Sequence, residues 1–164
     1  MGGVEVPELF KATEIVEMAI QEERNGVAYY EAFVRKTADP AIKEFAQRMA
    51  EEERRHEREF TQIRDQLGAY VPAETYLGEY LAYVRALVND RFLPDEGKAK
   101  EVVAKARDDR QVVENALRFE KETLLFFTEL KGFVPKRHGP VIDQLIDEER
   151  QHIADLSGLL GKMG

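Results

Sequence analysis

The chain has 164 residues, of which 43% are apolar and 34% are charged, with a formal net charge of −8 and no cysteine. This length suits one domain with a single core. The absence of cysteine excludes disulfides, iron–sulfur ligation, a thiol nucleophile and a rubredoxin-type metal site within these residues. The acidic balance argues against nucleic acid as a partner, because phosphate binding needs clustered Lys and Arg.

The hydrophobic pattern predicts amphipathic helices rather than membrane spans. Apolar residues recur at spacings of three and four, and no stretch approaches the run of about 20 apolar residues that a membrane helix needs. Residues 1–10 lack the basic and apolar regions of a secretory signal. We therefore expect an all-α protein that is located in the cytoplasm and does not contact a membrane.

The first two predicted helices form a hairpin. The first covers about residues 8–38, and the second covers about residues 40–67. Asp39 separates them as the N-cap of the second helix, and Pro40 suits its first helical position. Gly68 is the expected stop. Because the link is short, the two helices should pack antiparallel.

A crossover follows in which this pattern is not repeated. It predicts one helix over about residues 74–89, a turn over 94–97 and a shorter helix over about 98–107. The first of these helices carries an apolar and aromatic face that can pack on the chain's own bundle or on a second subunit, and we expect a homodimer. The face consists of Tyr70, Tyr76, Leu77, Tyr80, Leu81, Tyr83 and Leu87.

The second hairpin completes the predicted fold. Its helices cover about residues 109–131 and about 140–160, and the loop between them carries His138, which we expect to be exposed. The crossover is long enough to span the length of a bundle. We therefore predict, over residues 1–164, a single four-helix bundle made of two antiparallel hairpins joined by a long, partly helical crossover.

The two hairpins carry a duplicated motif. Residues 19–33 and 49–60 resemble residues 116–130 and 145–156, and each copy places one Glu on an apolar helical face and a Glu-x-x-His motif on the next helix. The lone glutamates are 97 residues apart, and the Glu-x-x-His motifs are 96 residues apart. The residues concerned are Glu23, Glu53 and His56 in the first copy and Glu120, Glu149 and His152 in the second.

This residue set indicates a site for two metal ions. Residues three apart on a helix share a face, so each Glu-x-x-His motif points in one direction. Four buried carboxylates without cations would raise one another's pKa values until they took up protons. Four carboxylates and two imidazoles balance two divalent ions. A single Glu-x-x-His motif could equally be a solvated surface pair, but its duplication in register favours the dinuclear site.

On these six residues the chain resembles the rubrerythrin family of the ferritin-like superfamily. The resemblance spans both halves of the chain and matches the family's metal ligands in order and spacing. It implies a ferritin-like bundle that holds two iron ions, although manganese, cobalt or zinc suit the same ligand atoms. It also implies the reduction of hydrogen peroxide or dioxygen with electrons from an external rubredoxin-like protein or flavoprotein.

Two other functions remain open for the same metal ligands. One is iron binding with ferroxidase activity, for iron storage or delivery, and the other is a structural metal clamp without catalysis.

The chain also departs from the usual family pattern, because it lacks a fused rubredoxin domain and an additional glutamate three residues from Glu120. Leu117 and Thr123 stand at those flanking positions. This departure argues against a ligand swap linked to the redox state.

We assign one role to each pair of equivalent ligands. The glutamates of the two Glu-x-x-His motifs bridge the ions, the lone glutamates are terminal ligands, and each histidine binds one ion. Peroxide or dioxygen would bind between the irons. Gly26 and Thr123 lie one turn from the lone glutamates, where they either leave room for this small substrate or allow close helix packing.

Three further residues have two possible roles each. Glu52 and Glu148 precede the Glu-x-x-His glutamates and either accept the imidazole N–H of the opposite histidine or form surface ion pairs with Arg54 and Arg150. Tyr30 lies two turns from Glu23. Its hydroxyl either has a functional role, bonding to a ligand carboxylate or quenching a stray oxidant, or the side chain simply fills the core.

Overall fold

In the computed structural model, residues 11–70 and 78–164 are described, and the regular structure in this part of the chain is helical. Four long helices form a ferritin-like bundle, as the sequence predicted, and two shorter helices belong to the crossover. In chain order the helices are α1 (Ala12–Lys36), α2 (Pro40–Leu67), α3 (Gly78–Asn89), α4 (Glu96–Lys105), α5 (Asp109–Leu130) and α6 (Gly139–Lys162).

The two hairpins of the prediction are present. Helix α1 packs along α2, and α5 packs along α6. The crossover runs over the bundle, with α3 against α5 and α4 against α1. Within the described residues, none of the helices combines the length and the apolar character that crossing a bilayer requires.

The start and end of α2 follow the predicted signals. Asp39 Oδ1 accepts hydrogen bonds from the backbone N–H groups of Ala41 at 2.8 Å and Ile42 at 3.3 Å. These bonds satisfy amides that have no partner inside the helix. After the helix, Gly68 adopts a φ of 56°, a left-handed conformation that glycine accepts without a steric cost.

The bounds of α1 and α4 differ from the prediction. Helix α1 ends at Lys36 instead of residue 38, because Thr37 is extended and its hydroxyl donates to Asp109 at 2.6 Å. Helix α4 starts at Glu96 and ends at Lys105 instead of covering 98–107. Its N-cap is Asp95, whose side chain accepts from the backbone of Lys98 at 2.7 Å. Part of the predicted turn is therefore the first turn of this helix.

The expectation that His138 is exposed is wrong. Two short 3₁₀ turns, Lys131–Phe133 and Lys136–His138, connect α5 to α6 and fold back onto the end of the bundle. Phe133 is buried there, and His138 is only 5% exposed. Burial and the neighbouring Arg137 lower the pKa of His138 below its ordinary value.

The predicted aromatic face of the crossover lies partly outside the described residues. Tyr76 and Leu77 are not among them, and neither are the side chains of Tyr80 and Leu81. Helix α3 buries two valines, Val84 and Val88, while Tyr83 on the same helix is 42% exposed. Tyr70, just after α2, is exposed as well. The described tyrosines of this face therefore do not pack into the chain's own core.

The apolar core is divided into two clusters at opposite ends of the bundle. One cluster contains the first half of α1, with Ile15 and Ile20, and the second half of α2, with Phe60 and Ile63. The other cluster contains the second half of α1 and the first half of α2. The middle of the bundle, between the two clusters, is where the motif residues of all four long helices lie.

We predict that Asp39→Ala lowers the free energy of unfolding by about 1 kcal/mol, because the variant leaves two amides of α2 without their acceptor. Chemical denaturation of the wild type and the variant measures this change. Asp39→Asn is the matched control, since asparagine also accepts from these amides and should retain most of the stability. An equal loss in both variants would contradict the capping role.

Candidate metal centre

The six motif residues converge in the middle of the bundle. The lone glutamates come from α1 and α5, and the Glu-x-x-His motifs come from α2 and α6. Each of the six residues is at most 1% exposed. The structure thus brings together all the predicted metal ligands: Glu23, Glu53, His56, Glu120, Glu149 and His152.

The six residues form two overlapping groups that can each hold one ion. In each group the potential ligand atoms lie within 4.8 Å of one another. Glu53 and Glu149 belong to both groups, and their bridging role stays a prediction. The first group adds Glu23 and His56, and the second adds Glu120 and His152.

Most of the described buried polar atoms without a hydrogen-bond partner belong to these six residues. In the described part of the chain, ten buried side-chain N and O atoms lack a hydrogen-bond partner, and eight of them belong to the six motif residues. Buried polar atoms are normally paired, because an unpaired one keeps the full cost of its desolvation. Oxygen and imidazole nitrogen atoms left free in one small volume are the ligands that divalent transition metals require. The residues therefore fit a dinuclear metal centre.

The histidines turn one ring nitrogen towards the carboxylates. His56 Nδ1 lies 2.9 Å from Glu149 Oε1 and 3.5 Å from Glu23 Oε2. His152 Nδ1 lies 3.3 Å from Glu149 Oε2. The two rings are nearly parallel, with their centroids 5.5 Å apart. Nδ1 is therefore the nitrogen available to an ion in both histidines.

The other ring nitrogen of each histidine bonds to a carboxylate of the opposite hairpin. His56 Nε2 lies 2.7 Å from Glu148 Oε2, and His152 Nε2 lies 2.7 Å from Glu52 Oε2. A carboxylate at this nitrogen favours the tautomer with the proton on Nε2, which leaves the lone pair of Nδ1 for a metal ion. Of the two roles considered for Glu52 and Glu148, the structure shows the contact with histidine.

Arginines hold these two carboxylates from the outside. Arg55 donates to Glu148 at 2.6 Å, and Arg48 donates to Glu52 at 3.2 Å. These contacts, together with those to histidine, hold the pKa of Glu52 and Glu148 below the ordinary value although burial raises it. The arginines suggested by sequence bond elsewhere: Arg54 pairs with Glu31 and Glu51, and Arg150 pairs with Asp147.

Tyr30 bonds directly to the candidate centre. Its hydroxyl donates to Glu120 Oε1 at 2.5 Å, and both side chains are fully buried. Tyr30 is on α1 and Glu120 is on α5, so this bond joins the two hairpins. Burial and the charge of Glu120 raise the pKa of Tyr30 well above its ordinary value, which keeps the phenol protonated. Of the roles considered for Tyr30, the structure shows the bond to a motif carboxylate.

Gly26 permits close packing and does not leave open space. A Cβ atom at this position would lie 3.2 Å from Cγ and Cδ of Glu53 and 3.3 Å from Cε1 of Phe119. The space beside Glu23 is therefore filled by a motif carboxylate and an aromatic ring. At the equivalent position in the second copy, the hydroxyl of Thr123 contacts Glu22 Oε2 at 3.4 Å.

Glu22 is a buried polar residue that the sequence patterns did not single out. It is 3% exposed and forms an ion pair with Arg91, which lies between α3 and α4. Burial raises the pKa of Glu22 to about 7 against the opposing effect of Arg91. Its only sequence signal is its position next to Glu23, and adjacent helical residues point in different directions.

Without metal, the charges of the centre are balanced by protons. Burial and the neighbouring carboxylates raise the pKa of Glu53 and bring that of Glu120 to about 7. Burial lowers the pKa of His56 and His152, but the surrounding carboxylates outweigh it and hold both pKa values far above the ordinary value. Protons therefore occupy positions where metal ions would supply positive charge.

We predict that metal binding releases protons and strengthens as pH rises. Ligand atoms must lose their protons to bind an ion, and here several ligands have raised pKa values, so a lower pH adds protons that the metal must displace. Adding cobalt(II) in weak buffer near neutral pH, with an indicator dye, counts the protons. His138→Gln, which alters a histidine outside the centre, should release the same number. Binding without proton release would contradict this account of the metal-free centre.

We predict that Gly26→Ala weakens cobalt(II) binding by about tenfold or more, a usual effect of disturbing the residues that orient a metal ligand. The added Cβ must displace Glu53 or Phe119. Gly158→Ala in α6 is the matched control, because nothing lies within 4 Å of its Cβ position. The control should bind cobalt normally and gain up to about 1 kcal/mol of stability from its helix propensity. Equal cobalt affinity in both variants would contradict the tight packing at Gly26.

Comparison with known proteins agrees with this site. The family model described as Rubrerythrin matches residues 14–160, a range that includes both hairpins, the crossover and all six motif residues. The search of curated proteins and the search of solved structures gave no match. Because the family match covers most of the chain, this protein belongs to the rubrerythrin family.

Proposed function

We propose that this protein is a diiron-carboxylate redox protein that reduces hydrogen peroxide, or dioxygen, with electrons from an external donor. The observation that carries the proposal is the set of eight unpaired ligand atoms on six buried side chains in the middle of the bundle. Membership of the rubrerythrin family supports iron as the metal.

The donor set suits a redox metal better than a purely structural ion. Each ion position combines carboxylate oxygens with one imidazole nitrogen, a mixture that iron, manganese and cobalt accept. Structural zinc sites are usually closed by four ligands that include thiolates, and this chain has no cysteine. When bound, two ferrous ions supply two electrons and Lewis acidity for the cleavage of the O–O bond.

The protein residues around the ligands exclude water and hold protons. Apolar clusters above and below the centre keep bulk solvent away, which strengthens electrostatic interactions inside it. Reduction of peroxide to two waters consumes two protons as well as two electrons. The hydroxyl of Tyr30 holds a proton against Glu120 Oε1, and the ring nitrogens Nε2 of the histidines hold protons against Glu52 and Glu148.

The histidine side of the centre is close to solvent. The side chains of Glu52 and Glu148 are 31% and 27% exposed, whereas the imidazoles that they contact are buried. One carboxylate therefore separates each imidazole from water. This arrangement supports the exchange of protons with solvent through the carboxylates of α2 and α6. The proposed electron donor is a rubredoxin-like protein or a flavoprotein.

We predict that the protein loaded with two ferrous ions is oxidised rapidly by one equivalent of hydrogen peroxide, as followed by stopped-flow absorption. Glu149→Ala should lose the fast reaction, because it removes a carboxylate that both ion positions share. Asp147→Ala is the matched control, since it removes an exposed carboxylate of the same helix and should react as the wild type does. Circular dichroism checks that both variants are folded.

Two outcomes would contradict the proposal. A loaded protein that does not react with peroxide or dioxygen would indicate a structural clamp. Uptake of iron that continues far beyond two ions per chain, with oxidation during loading, would indicate storage instead. Metal analysis of the loaded protein separates these outcomes from the proposed one.

A further inference from the structure

The segment between α3 and α4 lies across the groove between α1 and α5. Helix α3 ends at Asn89 and packs against α5, whereas α4 begins at Glu96 and packs against α1. The connecting residues 90–95 therefore pass from one border of the groove to the other. We call this segment the strap.

The first half of the strap is anchored by charged side chains. Arg91 forms an ion pair with the buried Glu22 of α1. The backbone N–H of Phe92 donates to Glu122 Oε2 at 2.8 Å, and the guanidinium of Arg118 lies 4.1 Å from the centroid of the Phe92 ring. Glu122 and Arg118 both belong to α5. The strap is therefore tied to both helices that border the groove.

The next residue, Leu93, fixes the strap by its side chain and by its backbone. The side chain is fully buried and belongs to the apolar cluster that contains the second half of α1. The carbonyl accepts a hydrogen bond of 2.8 Å from the side chain of Asn25, a fully buried residue of α1. Gln21 in turn donates to Asn25 at 2.7 Å. The strap thus closes the groove with both polar and apolar contacts.

The strap lies at the level of the candidate metal centre. Its partners on α1 are one residue and two residues away from Glu23, and its partners on α5 are each two residues away from Glu120. Two residues along a helix correspond to a rise of about 3 Å. Thr123 of α5 also contacts Glu22 of α1 across the groove at 3.4 Å. The strap therefore covers the side of the centre from which the two lone glutamates approach.

The ion pair between Arg91 and Glu22, which we call the latch, is incompletely bonded. The Nε atom of Arg91 is buried and has no hydrogen-bond partner in the described part of the chain. A buried ion pair recovers its desolvation cost only when its remaining polar atoms are satisfied. The hydrogen bonds at Phe92 and Leu93 can be exchanged for bonds to water at a modest net cost. Local opening of the strap therefore needs less free energy than unfolding of the bundle.

The other sides of the bundle are less suited to opening. Helices α1 and α2 pack along each other as a hairpin, and so do α5 and α6. On the side of α2 and α6, Glu52 and Glu148 bond to the histidines and to arginines. An opening there would separate the histidines from the carboxylates that orient them, whereas an opening of the strap leaves these bonds intact.

On the premise of the proposed dinuclear centre, we infer that the strap is a gate, and that its local opening is the route by which metal ions reach and leave the centre. Opening moves residues 90–95 away from the groove and exposes the lone glutamates, Glu23 and Glu120, to water. The four long helices stay in place. Arg91 holds the gate closed through Glu22. The species that passes is a divalent metal ion, with cobalt(II) as the probe.

The rates of cobalt(II) uptake and of cobalt(II) transfer to an excess of chelator test the gate. A gate that opens more often speeds entry and exit by the same factor and leaves the affinity unchanged. The double variant Glu22→Gln with Arg91→Ala removes the latch without a change in net charge. Both of its rates should rise by about tenfold or more, a change in the open population that corresponds to about 1.4 kcal/mol.

The matched control is Glu114→Gln with Arg110→Ala, which makes the same substitutions in an exposed ion pair of α5. It should take up and release cobalt at the wild-type rates. Faster release without faster uptake in the latch variant would indicate disturbed metal ligands and would overturn the gate.

A cross-link tests the gate in the opposite direction. The chain has no cysteine, and Phe92 lies against the exposed side chain of Arg118. Phe92→Cys with Arg118→Cys therefore places two unique thiols where a short bismaleimide with an internal disulfide can join them. Both cobalt rates should fall by about tenfold or more, because a cross-link restricts the open state. A reductant that cuts the bridge should restore them. Rates that do not respond to the cross-link would overturn the gate even if the latch variant fails to fold.

Hydrogen exchange in the metal-free protein separates this inference from the proposed function. The Phe92 amide should exchange faster in the latch variant than in the wild type, whereas amides in the middle of α2 should not change. Equal exchange at Phe92 would overturn the latch. Two bound cobalt ions whose rates ignore the latch variant would overturn the gate alone. Fewer than two cobalt ions per wild-type chain would overturn the dinuclear centre and the gate together.

Discussion

Four carboxylates and two imidazoles buried in the middle of a helical bundle are the constraint on which the rest of this structure depends. Ionised groups in such a place are costly unless opposite charges and hydrogen bonds compensate them. The chain supplies no Lys or Arg among the six side chains and leaves eight of their buried atoms unpaired. In the metal-free state protons balance the charge, and cations are the natural replacement. The bundle therefore has two separate apolar clusters instead of one continuous core.

On the side away from the centre, the histidines and the carboxylates next to them are hydrogen-bonded. Glu52 and Glu148 bond to the outward nitrogens of the histidines, and arginines near the surface donate to both carboxylates. Such a layer fixes the orientation of metal ligands before the metal binds. Tyr30 does the same for one oxygen of Glu120, but Phe127, which lies seven residues after Glu120 as Tyr30 lies seven after Glu23, has no hydroxyl. The duplicated hairpins thus form a centre that is symmetric in its ligands and asymmetric in their hydrogen bonds.

Local signals predicted much of the fold. The bounds of α2 follow from Asp39, Pro40 and Gly68, because caps and turn glycines act within a few residues. The bounds of α4 were wrong by two residues, since Asp95 caps this helix inside a segment that resembles a turn. His138 was expected to be exposed, but its loop folds onto the bundle end. Its burial depends on distant parts of the chain, which local sequence patterns do not reveal.

The sequence by itself determined which six residues could converge, because helical periodicity places them on inward faces and the duplication repeats them in register. Only the tertiary structure decided which partners surround them. Three features depend on how the helices lie beside one another. Arg55 and Arg48, rather than Arg150 and Arg54, bond to Glu148 and Glu52. Glu22 is buried against Arg91, and the space at Gly26 is filled. Periodicity gives the direction of a side chain from its own helix, whereas contacts between helices depend on their relative positions in three dimensions.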